Sequence, residues 1–181
     1  HHKPTVVDAD ALNLIAQGKV VFHDNAVFTP HLGEAARLLS RSVSDVQSEP
    51  VEAAFELHHK LGGVIVLKGA GSIVCDGHKA YICNFGNPGM ASAGMGDLLS
   101  GIIATFLAQG YSLVTSAQMG VWLHAKAGDL ASADGERGLI ATDLLPHIRR
   151  LDSILDNLNQ WSLGTISAVW EALLFLLNAC K

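Results

Sequence analysis

The residues best suited to chemistry stand in "NPGMASAGMGD" (87 to 97), where side chains of little bulk end in a single carboxylate, Asp97, at the start of an apolar helical pattern. A helix N-terminus presents unpaired N–H groups and the positive end of the peptide dipole, so it attracts phosphate. Gly89, Gly94 and Gly96 remove the side chains that would keep backbone and phosphate apart, and they permit positive φ. A carboxylate beside a phosphate is repelled, and a general base that loses its charge as it takes a proton is one reason to keep Asp97 there. The other reading leaves Asp97 complementing the dipole and the glycines serving close helix packing.

Three further clusters could act with it. Lys68, at the end of the apolar run "VIVLK", is followed by Gly69, Ala70, Gly71 and Ser72, the place where a doubly wound sheet presents groups to a ligand; the alternative is an ordinary turn. The order GxxxxGK[ST] is absent, so this is not a P-loop. In "TPHLGEAARLL" (29 to 39), Pro30 and Gly33 bracket His31 before a helical pattern, leaving the imidazole for a substrate amide or hydroxyl, or for simple capping. Glu34 and Arg37 are spaced to pair on one helix face. In "VVDADALNL" (6 to 14), Asp8 and Asp10 follow a strand and suit either Mg²⁺ held through water or a helix cap. His58, His59 and His124 fall on helical patterns without a ligand set and read as surface or satisfied core residues. No Ser/His/Asp or Cys/His arrangement can be argued.

The elements that must position these residues alternate in the α/β manner. Strands are expected at 5 to 9, 20 to 24, 27 to 29 and 64 to 68. Helices are expected at 34 to 41, 50 to 63, 97 to 109 and 112 to 133, and a last one is capped by Thr142 with Pro146 in its first turn. "SIVCDGHKAYIC" (72 to 83) reads as a hairpin turning at Asp76-Gly77. The 181 residues, 49% hydrophobic and 16% charged, suffice for one well-filled core. A net charge of -5 with dispersed Lys and Arg argues against nucleic acid and anionic membrane as partners, and favours a small molecule. Cys75, Cys83 and Cys180 lack metal spacing and read as reduced thiols of a cytoplasmic protein, and no signal peptide opens the chain. The apolar stretch 161 to 181, broken by Glu171 and Asn178, reads first as a helix packed on the domain or another subunit, then as a segment foreign to the domain, then as membrane contact.

Together, "VVDADALNL", "TPHLGEAARLL", "VIVLKGAGS", "NPGMASAGMGDLLSGIIATFLAQG" and "GERGLIATDLLPHIRRL" resemble, in order, blocks of the ADP/ATP-dependent NAD(P)H-hydrate dehydratases. The resemblance implies a ribokinase-like three-layer α/β/α fold, with a mostly parallel sheet and a β-hairpin. It implies dehydration of NADH hydrate and NADPH hydrate at the cost of ADP, or ATP, with Mg²⁺, in a homo-oligomer. By the same resemblance, His31, Leu32, Gly33, Glu34, Ala35, Ala36 and Arg37 form the hydrate-binding loop. Lys68, Gly69, Ala70, Gly71 and Ser72 form part of the adenine nucleotide site. Asn87, Pro88, Gly89, Met90, Ala91, Ser92, Ala93, Gly94, Met95 and Gly96 form its second segment, and Asp97 is catalytic and contacts substrate. Leu32 departs from the family's proline, giving "HLGE" for "HPGE", which is expected to loosen the loop. The family domain also has a portion before the strand at Thr5, so residues 1 to 151 are expected to be a partial domain and 152 to 181 a tail outside it. A small-molecule kinase of the same fold, and a truncated nucleotide-binding domain without turnover, are the alternatives.

Overall fold

A computed structural model describes residues 2 to 151; the expectations for the tail and for Cys180 lie outside them. The sheet is built from β1 (Thr5–Val7), β2 (Ala26–Phe28), β3 (Val64–Leu67), β4 (Ile73–Cys75) and β5 (Ala80–Ile82), paired in chain order. β1, β2 and β3 run parallel, Val7 opposite Phe28 and Phe28 opposite Ile65; β4 and β5 add an antiparallel hairpin. Every residue of β2, β3 and β4 is buried, as strands covered on both faces require.

Strand alternation sorts the core into two layers. Ala26, Phe28, Ile65, Leu67, Ile73 and Cys75 face α1 (Asp10–Ala16), α2 (Leu32–Leu39), α3 (Val43–Ser48) and α4 (Pro50–Leu61). Val27, Val64, Val66 and Val74 face α5 (Met95–Ala108) and α6 (Leu113–Ala131), through Leu99, Ile103, Leu107 and Val121. The two helices approach closely at Gly120, where a Cβ would lie 2.5 Å from Ile103 Cγ1. The result is the expected three-layer α/β/α arrangement, with a mixed sheet.

Four local expectations are corrected. Val20 to Asp24 form no strand: β1 takes Ala26–Phe28 as its parallel partner, Val21 is left 94% exposed, and Phe22 packs edge-on against Phe28. The hairpin turns at Gly77-His78, because Asp76 N–H donates to Lys79 O (3.2 Å). Asp76 instead caps the turn with Oδ1, which accepts from His78 and Lys79 N–H, while Gly77 takes the positive φ of +85°. The last helical segment, 145 to 151, is preceded by a 3₁₀ turn at Ala141–Leu144. That turn is closed by Asp143, which accepts from Ile140 N–H, rather than by Thr142. α3 was not expected, and its Ser42/Asp45 capping box is the signal that marks it. Among the described residues no helix is long and apolar enough to cross a membrane.

Candidate active site

The three parallel strands deliver residues just past their ends to one end of the sheet. Asp8 directly follows β1, His31 comes after Thr29 and Pro30 beyond β2, and Lys68 directly follows β3. Lys68 N–H donates to Pro30 O (2.8 Å), and His31 and Lys68 form an isolated parallel bridge, so the last two are held side by side. The first turn of α5 lies over this end: a Cβ at Gly96 would sit 3.3 Å from Lys68 Nζ and 3.9 Å from Asp8 Oδ2. Gly94 precedes the helix at φ +84°, which the glycine tolerates without strain.

Beside this end lies a cavity of about 880 Å³, a size suited to a nucleotide. Lys68 to Ser72 line it, as do Asn87, Pro88, Met90, Ala91, Ser92, Met95 and Gly96. Leu99, Val121, His124 and Ala125 complete an apolar wall from α5 and α6, and His31 also reaches it. Gly89, Ala93, Gly94 and Asp97 do not line it, and Asp97 is exposed in the first turn of α5.

The loop before α5 is tied down by one asparagine. Asn87 Oδ1 accepts from Gly89 N–H (3.0 Å), while its Nδ2 donates to Asp129 Oδ1 (3.2 Å) and Ser132 Oγ (3.0 Å). Asp129 also accepts from Gly86 N–H. Gly89 must be small, because a Cβ there would meet Glu136 O at 2.3 Å.

The hydrate-loop candidates separate by environment. His31 is the N-cap of α2: Nδ1 accepts from Gly33 N–H (2.9 Å) and Glu34 N–H (3.3 Å), and buried Glu34 accepts from His31 N–H (2.8 Å). An Nδ1 that accepts twice leaves the neutral ring's proton on Nε2, which lies 3.4 Å from Glu34 Oε1. The His31 side chain is still 54% exposed. Leu32 opens the helix, and this capping box closes the turn without proline. Ala35 and Ala36 are buried in the core layer. Arg37 pairs with Asn13 Oδ1 (3.0 Å) and Glu34 with His31, so the expected Glu34–Arg37 pair does not form.

Asp8 caps no helix side-on, since α1 starts without a side-chain cap. Its Oδ1 accepts from Lys68 Nζ (2.8 Å) and its Oδ2 from Ser100 Oγ (2.7 Å). Burial by itself would raise the Asp8 pKa, but the hydrogen bonds from Lys68 and Ser100, the Lys68 charge and Ala9 N–H hold it below the ordinary 3.8. Asp10 sits in the first turn of α1. With both Asp8 oxygens engaged, and no group of three His, Cys, Asp or Glu able to hold a metal among the described residues, these side chains do not fit a resident Mg²⁺.

His124, expected as a surface or satisfied core residue, is buried, and its Nε2 has no hydrogen-bond partner among the described residues. Burial lowers its pKa to about 4, against a smaller opposing effect of a hydrogen bond with the Met95 backbone, so the ring is neutral near pH 7. Cys75 and Cys83 are free thiols, both pushed up in pKa by burial.

The chain is similar to known proteins in sequence and fold. The NAD(P)H-hydrate dehydratase family model matches residues 1–150. A bifunctional NAD(P)H-hydrate repair enzyme of Coxiella burnetii is 51% identical over 150 residues, which are 82% of this chain and 30% of that protein. An ADP-dependent (S)-NAD(P)H-hydrate dehydratase of Neisseria meningitidis is 39% identical, over 82% of this chain and 53% of that one. The Bacillus subtilis ADP/ATP-dependent NAD(P)H-hydrate dehydratase, co-crystallised with ATP and Mg²⁺ and soaked with CoA, superposes with a TM-score of 0.74 at 27% identity, over 83% of this chain and 56% of that one. A ribokinase-like superfamily protein of Enterococcus faecalis gives a TM-score of 0.73 at 29% identity, over 84% and 54%. The chain thus spans from about a third to just over half the length of these relatives. A family match across most of the chain, on a sheet end that gathers the same blocks, assigns the chain to the NAD(P)H-hydrate dehydratase family.

Proposed function

We propose that this chain carries the nucleotide site and part of the hydrate site of an ADP-dependent dehydratase acting on the S epimer of NADH hydrate and NADPH hydrate. The observation that carries this reading is one cavity lined by Lys68 to Ser72 and, from the second glycine-rich segment, by Asn87, Pro88, Met90, Ala91, Ser92, Met95 and Gly96, with His31 at its exposed side. The apolar wall of Leu99, Val121 and Ala125 suits an adenine ring. Lys68 and the first turn of α5 suit the phosphates, and Mg²⁺ enters as the nucleotide's own counter-ion.

In this mechanism Asp97 accepts the proton of the ring hydroxyl as its oxygen attacks the terminal phosphorus of ADP. The bond between that phosphorus and the bridging oxygen breaks and AMP is released. The new phosphate ester then leaves as inorganic phosphate, its C–O bond electrons departing with it, while loss of the neighbouring ring proton restores the double bond. Main-chain N–H groups at Gly94 to Gly96 and the Lys68 ammonium stabilise charge on the transferring group. His31 contributes an N–H donor to the hydrate. Free thiols at Cys75 and Cys83 accord with a cytoplasmic setting.

Incubation with NADH hydrate, ADP and Mg²⁺ tests the reading through return of reduced-nicotinamide absorbance together with AMP and phosphate in equal amounts. A stable phosphorylated product without free phosphate supports a small-molecule kinase instead, and ADP binding without turnover supports a binding domain only.

A further inference from the structure

Among the described residues, Lys68 is the one permanent cation that lines the cavity. A lysine ammonium on four methylenes is mobile unless something holds it. Here Asp8 Oδ1 takes one of its three N–H donors at 2.8 Å, Ser100 Oγ–H fixes the other Asp8 oxygen at 2.7 Å, and Thr29 Oγ1 stands 3.4 Å from Ser100 Oγ. The side chains of Lys68 and Asp8 are only 18% and 15% exposed. The chain of contacts joins the ends of β1, β2 and β3 to α5. It leaves Nζ close over Gly96, beside the positive end of that helix, with two N–H donors unspent.

We propose that Asp8 is a positioning residue: with Ser100 it holds Lys68 Nζ over the first turn of α5, where the terminal phosphoryl group of the nucleotide binds. The inference rests on the nucleotide reading given above. Without Asp8, the ammonium turns away from the like-signed helix end and towards solvent, and the terminal phosphate loses its cation. Asp8 touches no ligand in this scheme. It acts through Lys68.

Calorimetry with ADP and with AMP, each with Mg²⁺, isolates the terminal phosphate, because the two ligands share the rest. In the unaltered protein ADP binds more tightly than AMP. Lys68→Met lowers the ADP-to-AMP affinity ratio, and Asp8→Asn lowers it about tenfold although the lysine is still present. Asp8→Glu recovers part of the ratio, and Asp8→Asn combined with Lys68→Met is no worse than Lys68→Met alone. An Asp8→Asn ratio equal to that of the unaltered protein overturns the proposal, as does equal weakening of both ligands, which marks a merely structural role. A ratio that rises also overturns it, since removing a nearby negative charge without moving the lysine strengthens anion binding. An unaltered protein that binds ADP but does not dehydrate the hydrate removes the dehydratase reading and leaves the ratio as the test of Asp8. One that binds neither nucleotide removes both.

Discussion

The two halves of the site are built differently. The proposed nucleotide half is backed on one side: its loops are pinned by Asn87, Asp129 and Ser132, its cation is held by Asp8, and its wall is the packed face of α5 and α6, while Gly69, Ala70, Pro88 and Ala91 stand exposed at its mouth. The proposed hydrate half lies open, with Asp97 exposed and the His31 side chain 54% exposed, although His31 is fixed locally by the α2 capping box. The contrast teaches that order at the backbone and enclosure of a ligand are separate properties. A capping box sets the direction of His31, but only elements packed across it could exclude water, and among the described residues nothing buries Asp97 or the His31 side chain in that way.

If the halves are energetically separable, changes in one should leave the other intact. The largest separation comes from Asp97→Asn: turnover falls by about 10²–10⁴-fold, the usual worth of a positioned base, while ADP affinity measured by calorimetry is unchanged. Parallel loss of ADP binding would break the comparison.

A second contrast lies in pH dependence, and it belongs to the packed wall of the cavity, where His124 is buried. His124 is held neutral in the fold with its pKa lowered to about 4 from 6.5. Between those values the unfolded chain takes up a proton that the folded protein does not, so stability is full above pH 6.5 and falls as pH drops towards 4. The interval is worth roughly 3 kcal/mol. Urea unfolding across this range should show the slope, and His124→Gln should flatten it. An unchanged slope in the variant would mean that other groups set it. Asp8 adds to the loss only at lower pH: its depressed folded pKa gives stability that is present above 3.8 and fades as pH falls through the folded value.

Smaller still is the effect of Asn87→Ala. It removes the acceptor for Gly89 N–H and the two donors to Asp129 and Ser132, at a cost of roughly 1–2 kcal/mol in unfolding free energy. The nucleotide loop loosens with it, so the ADP dissociation constant should rise while the hydrate KM at saturating ADP stays put. A hydrate KM that rises as much as the ADP constant would show that the halves share one ordering step.

What the sequence made legible follows from the range of the forces involved. Local patterns were readable: the apolar run Val64 to Leu67, the helical stretch 50 to 63, the small residues before α5, and His31 ahead of a helix. Long-range partners were not. Asp8 meets Lys68 sixty positions away and Ser100 ninety-two away, so neither the Mg²⁺ reading nor the cap reading could reveal an ion pair. Val20 to Asp24 has strand propensity, but propensity cannot say which β-branched run the neighbouring strand will select. His124 reads as one more helical histidine until α6 is packed against α5. Glu34 and Arg37 were correctly spaced for each other, yet each finds a better partner outside that pair.

The smallest expected effect also separates the two properties most cleanly. His31 holds the helix start with Nδ1 and keeps Nε2–H, 3.4 Å from Glu34 Oε1, on a side chain that is still exposed, so in the proposed site one ring would do a structural and a chemical task through different atoms. Asparagine is as good an N-cap as any residue but cannot place a donor where Nε2 stands, whereas alanine does neither. His31→Asn should therefore unfold within about 0.5 kcal/mol of the unaltered protein and His31→Ala about 1 kcal/mol earlier, both read from urea denaturation. The hydrate KM should rise in both by a similar factor, roughly tenfold for one lost hydrogen bond, with ADP affinity constant. If His31→Asn keeps the ordinary hydrate KM, His31 serves the helix alone and the open half of the site must bind its substrate through other groups.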